Sequence, residues 1–183
     1  MIVVDQSKSM FFGSQSRTKS IVAAELAALT AFKVLKEGDR VGGIVFADNG
    51  IDIVYPKRDR KNILHFLEKI VNRNRELIDS KPVAFDKALA ETLVKNIVTH
   101  DFLVVVISDF HRYRPELVKF ISRISRHNDV ILAKIYDPME QSIPAKKLIA
   151  GDGEKQLLID GENASIRQEF RMHFDVDFEK FKA

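Results

Sequence analysis

Residues 1–9 read MIVVDQSKS, an apolar run that ends in an aspartate and is followed by serines at alternate positions. A short apolar run of this kind is typical of a buried β-strand. A polar, glycine-containing loop covers residues 6–16, and residues 18–36 then carry apolar side chains at helical spacing. Gly38 is expected to stop this helix. A buried strand that leads through a loop into a long helix predicts an α/β fold.

The rest of the chain continues the alternation of strands and helices. Residues 40–47 and 50–55 predict two strands joined by a turn at residues 48–50. The continuous apolar run FLVVVI at residues 102–107 predicts the most buried strand, in the middle of the sheet. The other predicted elements are helices over residues 59–71, 85–98, 115–125 and 163–182, and strands over residues 129–136, 147–149 and 156–159.

This order of elements decides the fold class. Alternating strands and helices predict a doubly wound, mostly parallel sheet with helices on both faces, as in Rossmann-like proteins. The strand pair at residues 40–55 predicts one antiparallel edge. With 183 residues, 45% of them hydrophobic and 30% charged, the chain can bury one full core. We expect a single domain over residues 1–183.

Composition excludes several classes of function. The absence of cysteine excludes disulfides, a thiolate nucleophile and zinc sites built on sulfur. The net charge of +3 comes from 29 basic and 26 acidic residues, a mixed surface that does not favour nucleic acid as the partner.

Location is predicted from what the sequence lacks. No stretch approaches the roughly 18 to 20 apolar residues of a membrane span, and no secretion signal is recognisable, so we expect a cytoplasmic protein. The first strand begins at Met1 without a lead-in. We therefore expect that an upstream N-terminal region is missing, or that this is a shortened member of its family.

Two carboxylates and two hydroxyls make the candidate site. Asp5 and Asp109 each follow a strongly apolar strand, and ligands of open α/β sheets bind beyond the carboxyl ends of the strands. In an extended loop alternate residues point the same way, so Asp5, Ser7 and Ser9 can present three oxygens to one side. Hard oxygen ligands with few carboxylates suit Mg²⁺ or Mn²⁺. The pattern predicts a metal site.

A simpler interpretation of the same residues stays open. In this interpretation Ser7 and Ser9 merely cap turns and the following helix, and Asp5 bonds loop amides. Asp109 merely opens a turn. Phe11 and Phe12 in the loop could lie at its exposed rim, where apolar groups often mark interaction sites, or could face the core.

Three segments of the chain carry a resemblance to a known family: VDQSKSM at residues 4–10 with Phe-Gly at 12–13, GDRVG at residues 38–42 and VISDF at residues 106–110. With these segments, and with the similar GDG segment at residues 151–153, the chain resembles the bacterial domain-of-unknown-function family 58. Members of that family have a von Willebrand factor A-like domain. The resemblance therefore implies that fold, and it covers nearly the whole chain.

The resemblance also implies a function. It implies a metal-ion-dependent adhesion site with Ser7 and Ser9 as direct ligands of Mg²⁺ or Mn²⁺ and with Asp5 and Asp109 acting directly or through water. Such proteins are typically encoded beside MoxR-type AAA+ ATPases. A protein-binding adaptor of such an ATPase, serving assembly or maturation of protein complexes and performing no chemistry itself, is the implied role.

One position departs from the family's pattern. The metal site of the family draws a threonine from a loop before a helix with an Ala-Leu pair, and here Ala88-Leu89 places Val83 in that slot. Valine cannot ligate a cation, and Ser80 could replace it only if the loop is shifted. The alternative interpretation is therefore a metal-free scaffold whose site is degenerate.

A third interpretation is enzymatic. A Mg²⁺-dependent phosphohydrolase could use Asp5 as the nucleophile with Asp109 holding the metal. That class needs a second carboxylate two residues after the nucleophile, and Ser7 is a poor acid catalyst. The chain also lacks a Gly-x-x-x-x-Gly-Lys phosphate loop, so ATP binding would belong to the partner. We expect a protein that is not an enzyme.

Overall fold

The computed structural model describes residues 1–78, 100–110, 121–151 and 156–182. The helix predicted over residues 85–98 lies outside these ranges, as does most of the helix predicted over residues 115–125. The chain divides into two compact units, Met1–Ile135 and Tyr136–Ala183. A single domain over residues 1–183 stays a prediction.

The first unit contains a five-stranded sheet and two long helices within the described residues. A single 3₁₀ turn spans Lys8–Met10, directly after the first strand, and residues 121–124 are helical. The elements are β1 (Ile2–Asp5), α1 (Lys19–Lys36), β2 (Val41–Ala47), β3 (Gly50–Lys57), α2 (Arg60–Glu76), β4 (Leu103–Ser108) and β5 (Asp129–Lys134).

The sheet has the strand order β3-β2-β1-β4-β5. β1 pairs in parallel with both β2 and β4, β4 pairs in parallel with β5, and β3 runs antiparallel to β2 at the edge. This mixed α/β sheet with one antiparallel edge confirms the predicted fold class. The expectation that residues 102–107 form the middle strand was wrong. β1 is the middle strand because two strands lie on each side of it, β2 and β3 on one side and β4 and β5 on the other, although its apolar run is shorter.

Local sequence signals set the helix ends. The side chain of Thr18 caps α1 by accepting a hydrogen bond from the amide of Ile21, and that of Asp59 caps α2 by accepting from the amide of Lys61. Gly38 follows α1 with a φ of 88°, a left-handed conformation that glycine adopts without steric cost.

Helices α1 and α2 pack together over one face of the sheet. The buried stripe of α1 consists of Ala23, Ala27 and Ala31, spaced one helical turn apart, so that the helix backbone approaches its neighbours closely. From α2, the ring of Phe66 lies directly on Gly43 of β2, where a β-carbon would come within 2.0 Å of the ring. Gly43 is therefore required by packing.

The sheet's three inner strands, β2, β1 and β4, are buried on both faces. Val3 of β1, Ile44 of β2 and Val106 of β4 are register partners on the face opposite α1 and α2, and all three are buried. Strands buried on both faces are typical of parallel sheets. A rigid, fully packed β1 fixes the position of the loop that follows it.

The second unit consists of a short helix, a hairpin and a long helix. The elements are α3 (Pro138–Gln141), β6 (Lys147–Gly151), β7 (Gln156–Asp160) and α4 (Ala164–Lys182), and β6 and β7 pair antiparallel. Sequence periodicity does not predict α3, since four residues are too few to show it. Its start is nonetheless signalled by Asp137-Pro138, with a capping box between Asp137 and Glu140.

An aromatic cluster packs within the second unit. The ring of Tyr136 lies 5.4 Å from that of Phe174 and 6.1 Å from that of Phe178, measured between ring centroids. Phe174 and Phe178 stack on one another along α4 at 5.8 Å, as expected for side chains four residues apart on one helix face.

The length and hydropathy of a helix decide whether it could cross a membrane. Within the ranges given above, none of the helices combines the length and the apolar composition that crossing a bilayer requires.

Candidate functional site at the carboxyl ends of β1 and β4

Two buried carboxyl groups lie at the carboxyl ends of two neighbouring strands of the sheet. Asp5 ends β1, and Asp109 directly follows β4, the parallel neighbour of β1. Both side chains are buried, with 4% and 5% of their surface exposed. β2 lies on one side of β1 and β4 lies on the other, so the order of the strands reverses at β1. The two residues therefore lie at the switch point where α/β proteins bind ligands.

The loop after β1 folds back on Asp5. The amide of Ser7 donates a hydrogen bond of 2.8 Å to Oδ1 of Asp5, and the hydroxyls of Ser7 and Ser9 lie 3.1 Å apart. Asp5 therefore does bond a loop amide, as the simpler interpretation expects. The side chain of Ser7 makes no capping hydrogen bond to the 3₁₀ turn, and α1 is capped by Thr18. Capping does not account for Ser7.

Burial controls the charge of Asp5. Desolvation is the largest cause and the nearby carboxylate of Asp109 the next, and together they raise the pKa of this carboxyl to about 7. Hydrogen bonds from Ser108 and Ser7 oppose the rise because they favour the charged form. Asp5 is thus only partly ionised near neutral pH, and additional positive charge beside it would favour the carboxylate.

A strained turn positions Asp109. The hydroxyl of Ser108 donates to Oδ2 of Asp5 at 2.5 Å and accepts the amide of Phe110 at 3.0 Å. Phe110 is buried and has a φ of 51°, a left-handed conformation that costs a bulky residue on the order of 1 to 3 kcal/mol. Ser108 therefore links the two strand ends and holds the turn in which Asp109 lies.

A buried lysine completes the cluster. The ammonium Nζ of Lys19, the first residue of α1, lies 2.8 Å from Oδ2 of Asp109, and Lys19 and Asp109 are 4% and 5% exposed. A buried charge needs a partner of opposite sign because its desolvation is costly. In the part of the chain that the structure describes, the site thus contains two carboxyl groups and one ammonium, together with the hydroxyls of Ser7, Ser9 and Ser108.

Gln6 joins the site loop, which follows β1 and carries Ser7 and Ser9, to helices α1 and α2. It is fully buried; its Nε2 donates to the carbonyl of Ser20 in α1 at 3.0 Å, and its Oε1 accepts from Nδ2 of Asn74 in α2 at 2.8 Å. Both ends of the amide are therefore bonded, as a buried polar side chain requires. Gln6 fixes the loop that carries Ser7 and Ser9.

Lys8 makes a second link from the loop. Its ammonium donates to the carbonyl oxygens of Leu77 and Ile78 at 2.9 and 2.8 Å, just beyond α2. Carbonyls at a helix C-terminus attract positive charge. The backbone amide of Lys8 also donates to the carboxylate of Asp48, in the turn between β2 and β3. Lys8 therefore fixes the loop through both its backbone amide and its side-chain ammonium.

Two phenylalanines lie at the rim of the loop. Phe11 and Phe12 are each 42% exposed, so both side chains lie at the exposed rim of the loop and do not face the core. Lys8 Nζ lies 5.4 Å from the ring centroid of Phe11, and Lys19 Nζ lies 6.0 Å from that of Phe12. Exposed aromatic rings beside a buried polar cluster provide an apolar contact for a ligand.

The threonine slot expected from the family's pattern lies outside the described residues. Val83 and Ser80, and the Ala88-Leu89 pair used to place that slot, lie outside them. In the ranges that are described, no group of three or more His, Asp or Glu side chains could hold a metal ion.

The donor set at the edge fits a hard divalent cation. All the candidate donor atoms are oxygens, the ligands that Mg²⁺ and Mn²⁺ prefer. Burial is the largest cause of the raised pKa of Asp5, and a cation beside this carboxyl would favour its charged form. Asp5, Ser7, Ser9 and Asp109 would hold the ion, and among the described residues the ammonium of Lys19, which is paired with Asp109, opposes it. Their role as metal ligands stays a prediction.

Sequence reasoning missed the residues that support the site. Lys19, Gln6 and Ser108 have no role in the predicted metal pattern, and their importance follows from burial and hydrogen bonds. One signal for Lys19 was present. A lysine in the first turn of a helix is opposed by the positive end of the helix dipole, so its position directly after the Thr18 cap indicates a compensating partner.

The fold and the site together define a class: a mixed α/β protein with hydroxyls, carboxylates and one ammonium clustered at the carboxyl ends of its central strands. The chain belongs to the family described as "Protein of unknown function DUF58", whose profile matches residues 1–177. Among proteins with curated descriptions, none matches the chain.

Solved structures of two bacterial proteins are similar to the chain. An aerotolerance-related membrane protein from Bacteroides fragilis NCTC 9343, with multiple mutations to serines, is 18% identical, with a TM-score of 0.50 over 95% of this chain and 86% of that one. The conserved hypothetical protein BatB from Bacteroides thetaiotaomicron is 16% identical, with a TM-score of 0.56 over 95% of this chain and 85% of that one. At these identities the likeness shows the fold.

Proposed function

We propose that this chain is a metal-ion-dependent protein-binding module with a von Willebrand factor A-like adhesion site. The observation that carries the proposal is the cluster formed by Asp5, Ser7, Ser9 and Asp109 at the switch point of the sheet. Ser7 and Ser9 would bind Mg²⁺ or Mn²⁺ directly. Asp5 and Asp109 would act directly or through water, and an acidic group of the partner would complete the coordination.

The surroundings of the cluster support a binding role. The site loop is held by Gln6 and Lys8 through hydrogen bonds to both helices, so it is organised before a partner arrives. Pre-organisation favours binding because less conformational entropy is lost. Phe11 and Phe12 at the rim offer exposed apolar surface next to the polar centre. We therefore propose a partner segment that combines a carboxylate with an adjacent apolar side chain.

The proposed partner is a MoxR-type AAA+ ATPase or its client. This assignment rests on the resemblance to family members, which are typically encoded beside such ATPases. The chain has no phosphate-binding loop of its own, so nucleotide binding would belong to the partner. We place this encounter in the cytoplasm, and the process served would be assembly or maturation of protein complexes.

We propose that the chain itself catalyses no reaction. A phosphohydrolase with Asp5 as nucleophile would need an exposed, ionised carboxylate, whereas Asp5 is buried and its pKa is raised to about 7. Both carboxyl oxygens of Asp5 also accept hydrogen bonds, from the amide of Ser7 and the hydroxyl of Ser108.

A metal-free scaffold is the second candidate, and the buried ion pair of Lys19 with Asp109 favours it.

Calorimetric titration with Mg²⁺ and Mn²⁺ tests the metal site. The wild type is compared with Ser7→Ala/Ser9→Ala, which removes the two hydroxyls, and with Ser14→Ala/Ser16→Ala as the matched control. The control pair has the same spacing and lies exposed in the same loop. We expect saturable binding to the wild type and to the control, and loss of binding in Ser7→Ala/Ser9→Ala.

The outcomes separate the two candidate functions. Absence of binding to the wild type at millimolar metal, both alone and with an added carboxylate such as acetate, would contradict the metal-dependent module and favour the scaffold. Equal binding to all three proteins would place the metal elsewhere on the chain.

Partner binding is tested with a purified MoxR-type ATPase from the same organism. Association is measured by biolayer interferometry with Mg²⁺ and with a chelator. We expect binding in Mg²⁺ that is reduced at least about tenfold, or about 1.4 kcal/mol, by the chelator or by Ser7→Ala/Ser9→Ala. Binding that neither change affects would show that the adhesion site is not the contact.

A further inference from the structure

The ion pair between Lys19 and Asp109 has a role of its own in this site. Lys19 Nζ lies 2.8 Å from Oδ2 of Asp109, and both side chains are almost fully buried. We propose that Lys19 is the resident cation of the site, and that a divalent metal ion binds Asp109 only by displacing the ammonium of Lys19. The inference rests on the proposed function only in taking a divalent cation as the ligand.

Charge balance explains why a lysine is needed here. Asp5 ends β1 and Asp109 follows its parallel neighbour β4, so the two carboxyl groups lie at the same end of the sheet, and both are buried. Two neighbouring carboxylates in a region of low dielectric are strongly unfavourable without a cation. Lys19 supplies that cation from within the chain, so the cluster can remain folded without metal.

The same geometry makes Lys19 a competitor of metal. A divalent ion bound between Ser7, Ser9 and Asp109 would share the Asp109 carboxylate with the ammonium. Two cations on one buried carboxylate repel each other, and the repulsion grows as the dielectric falls. The ammonium must therefore leave the carboxylate when the metal binds, and metal affinity is lowered by the energy of the ion pair.

A place for the displaced ammonium exists at the rim. Lys19 Nζ already lies 6.0 Å from the centroid of the Phe12 ring, at the outer limit of a cation–π contact. Phe12 is partly exposed, so movement toward this ring brings the ammonium nearer to water. The long lysine stem can make this movement by rotation about side-chain bonds while α1 stays in place.

The proposed competition gives the site two exclusive states. In one, Lys19 neutralises Asp109 and the ligand oxygens bond among themselves, as Ser7 bonds Ser9. In the other, a divalent ion replaces the ammonium and can present an open coordination position to a partner carboxylate. Lys19 would thus set the metal concentration at which the module becomes able to bind its partner.

Substitution of Lys19 tests the competition. Lys19→Met removes the charge and keeps the aliphatic stem, Lys19→Gln removes the charge but retains a donor for Asp109, and Lys19→Arg is the matched control that keeps the charge. Mn²⁺ binding is measured at about pH 8, where carboxyl groups are largely ionised, by electron paramagnetic resonance of the free ion. We expect Lys19→Met and Lys19→Gln to bind Mn²⁺ at least about tenfold more tightly than wild type and Lys19→Arg.

A second measurement uses only the wild type, so it decides the question even if the variants fail to fold. Lysines are acetylated with an amine-reactive ester, and the rate at each lysine is followed by peptide mass spectrometry with and without Mn²⁺. We expect saturating Mn²⁺ to accelerate labelling of Lys19 several-fold. Lys33, which is exposed on α1, is the internal control and should be labelled at the same rate in both conditions.

Each outcome has a defined meaning. Equal or weaker Mn²⁺ binding by Lys19→Met and Lys19→Gln, or unchanged labelling of Lys19 in saturating Mn²⁺, overturns the inference and leaves the metal-dependent module standing. Binding to the uncharged variants alone supports the inference but contradicts the proposed function for the wild type. Absence of binding in every variant contradicts both.

Discussion

Replacement of Asp5 by asparagine should change how stability depends on pH. The folded-state pKa of Asp5 is about 7, against 3.8 for an unperturbed aspartate side chain. Between these values the folded protein retains a proton that the unfolded chain has released. Stability therefore contains a contribution that is fully present below about pH 4 and is lost as the pH rises to about 7. Asp5→Asn removes this contribution because asparagine does not titrate.

The structure sets the size of the effect. A difference of about 3 pKa units corresponds to about 4 kcal/mol in the free energy of unfolding at high pH. Asparagine recovers less than this, because it can accept the amide of Ser7 but must rearrange its bond with the hydroxyl of Ser108. We expect Asp5→Asn to be more stable than the wild type by about 2 kcal/mol at pH 8 and equally or less stable at pH 4.

Urea unfolding at a series of pH values between 4 and 8, in the presence of a chelator, measures this difference. The wild-type minus variant difference cancels the contributions of histidines and of the terminal amine, since these groups are present in both proteins. Parallel pH profiles for the two proteins, or a variant less stable than the wild type at pH 8, would refute the assignment of a buried, partly protonated carboxyl to Asp5.

Two further substitutions test the packing behind the site. Gln6→Ala removes the bonds to Ser20 and Asn74 and leaves both partners unsatisfied in the interior, so we expect a loss of about 2 to 3 kcal/mol in urea unfolding. Gly43→Ala places a β-carbon against the ring of Phe66, and we expect destabilisation of about 1 to 3 kcal/mol by thermal unfolding.

Double variants provide the controls for these two predictions. If Gln6 and Asn74 act through their shared bond, Asn74→Ala should cost less in a Gln6→Ala background than in the wild type. A smaller side chain at position 66, as in Phe66→Leu, should recover part of the loss caused by Gly43→Ala. Fully additive losses in both pairs would show that the described contacts are not the cause.

The local structure of this chain could be predicted from the sequence. The apolar run before Asp5, the helical periodicity that begins after Thr18 and the turn at Gly38 each depend on residues only a few positions apart. The alternate spacing of Asp5, Ser7 and Ser9 is equally local, so these residues could be proposed as one group. Short-range backbone preferences and hydrophobic periodicity carry enough information for such features.

The order of the strands could be predicted only in part. The apolar run at residues 102–107 is longer than that of β1, and it therefore indicated the middle of the sheet. β1 takes the middle position because the chain leaves it toward β2 on one side and returns to β4 on the other. Strand position depends on pairing between distant segments, which apolar content does not report.

The tertiary structure alone decided the chemistry around the two carboxyl groups. Lys19 and Asp109 are 90 positions apart, and Ser108 and Asp5 are 103 apart, so only the packing of α1 and β4 around β1 brings them together. Burial then gives these contacts their strength, because removing water makes an unpaired charge costly and a matched partner necessary. The sequence determined which side chains could form a site, whereas folding decided which of them share it and with what charge.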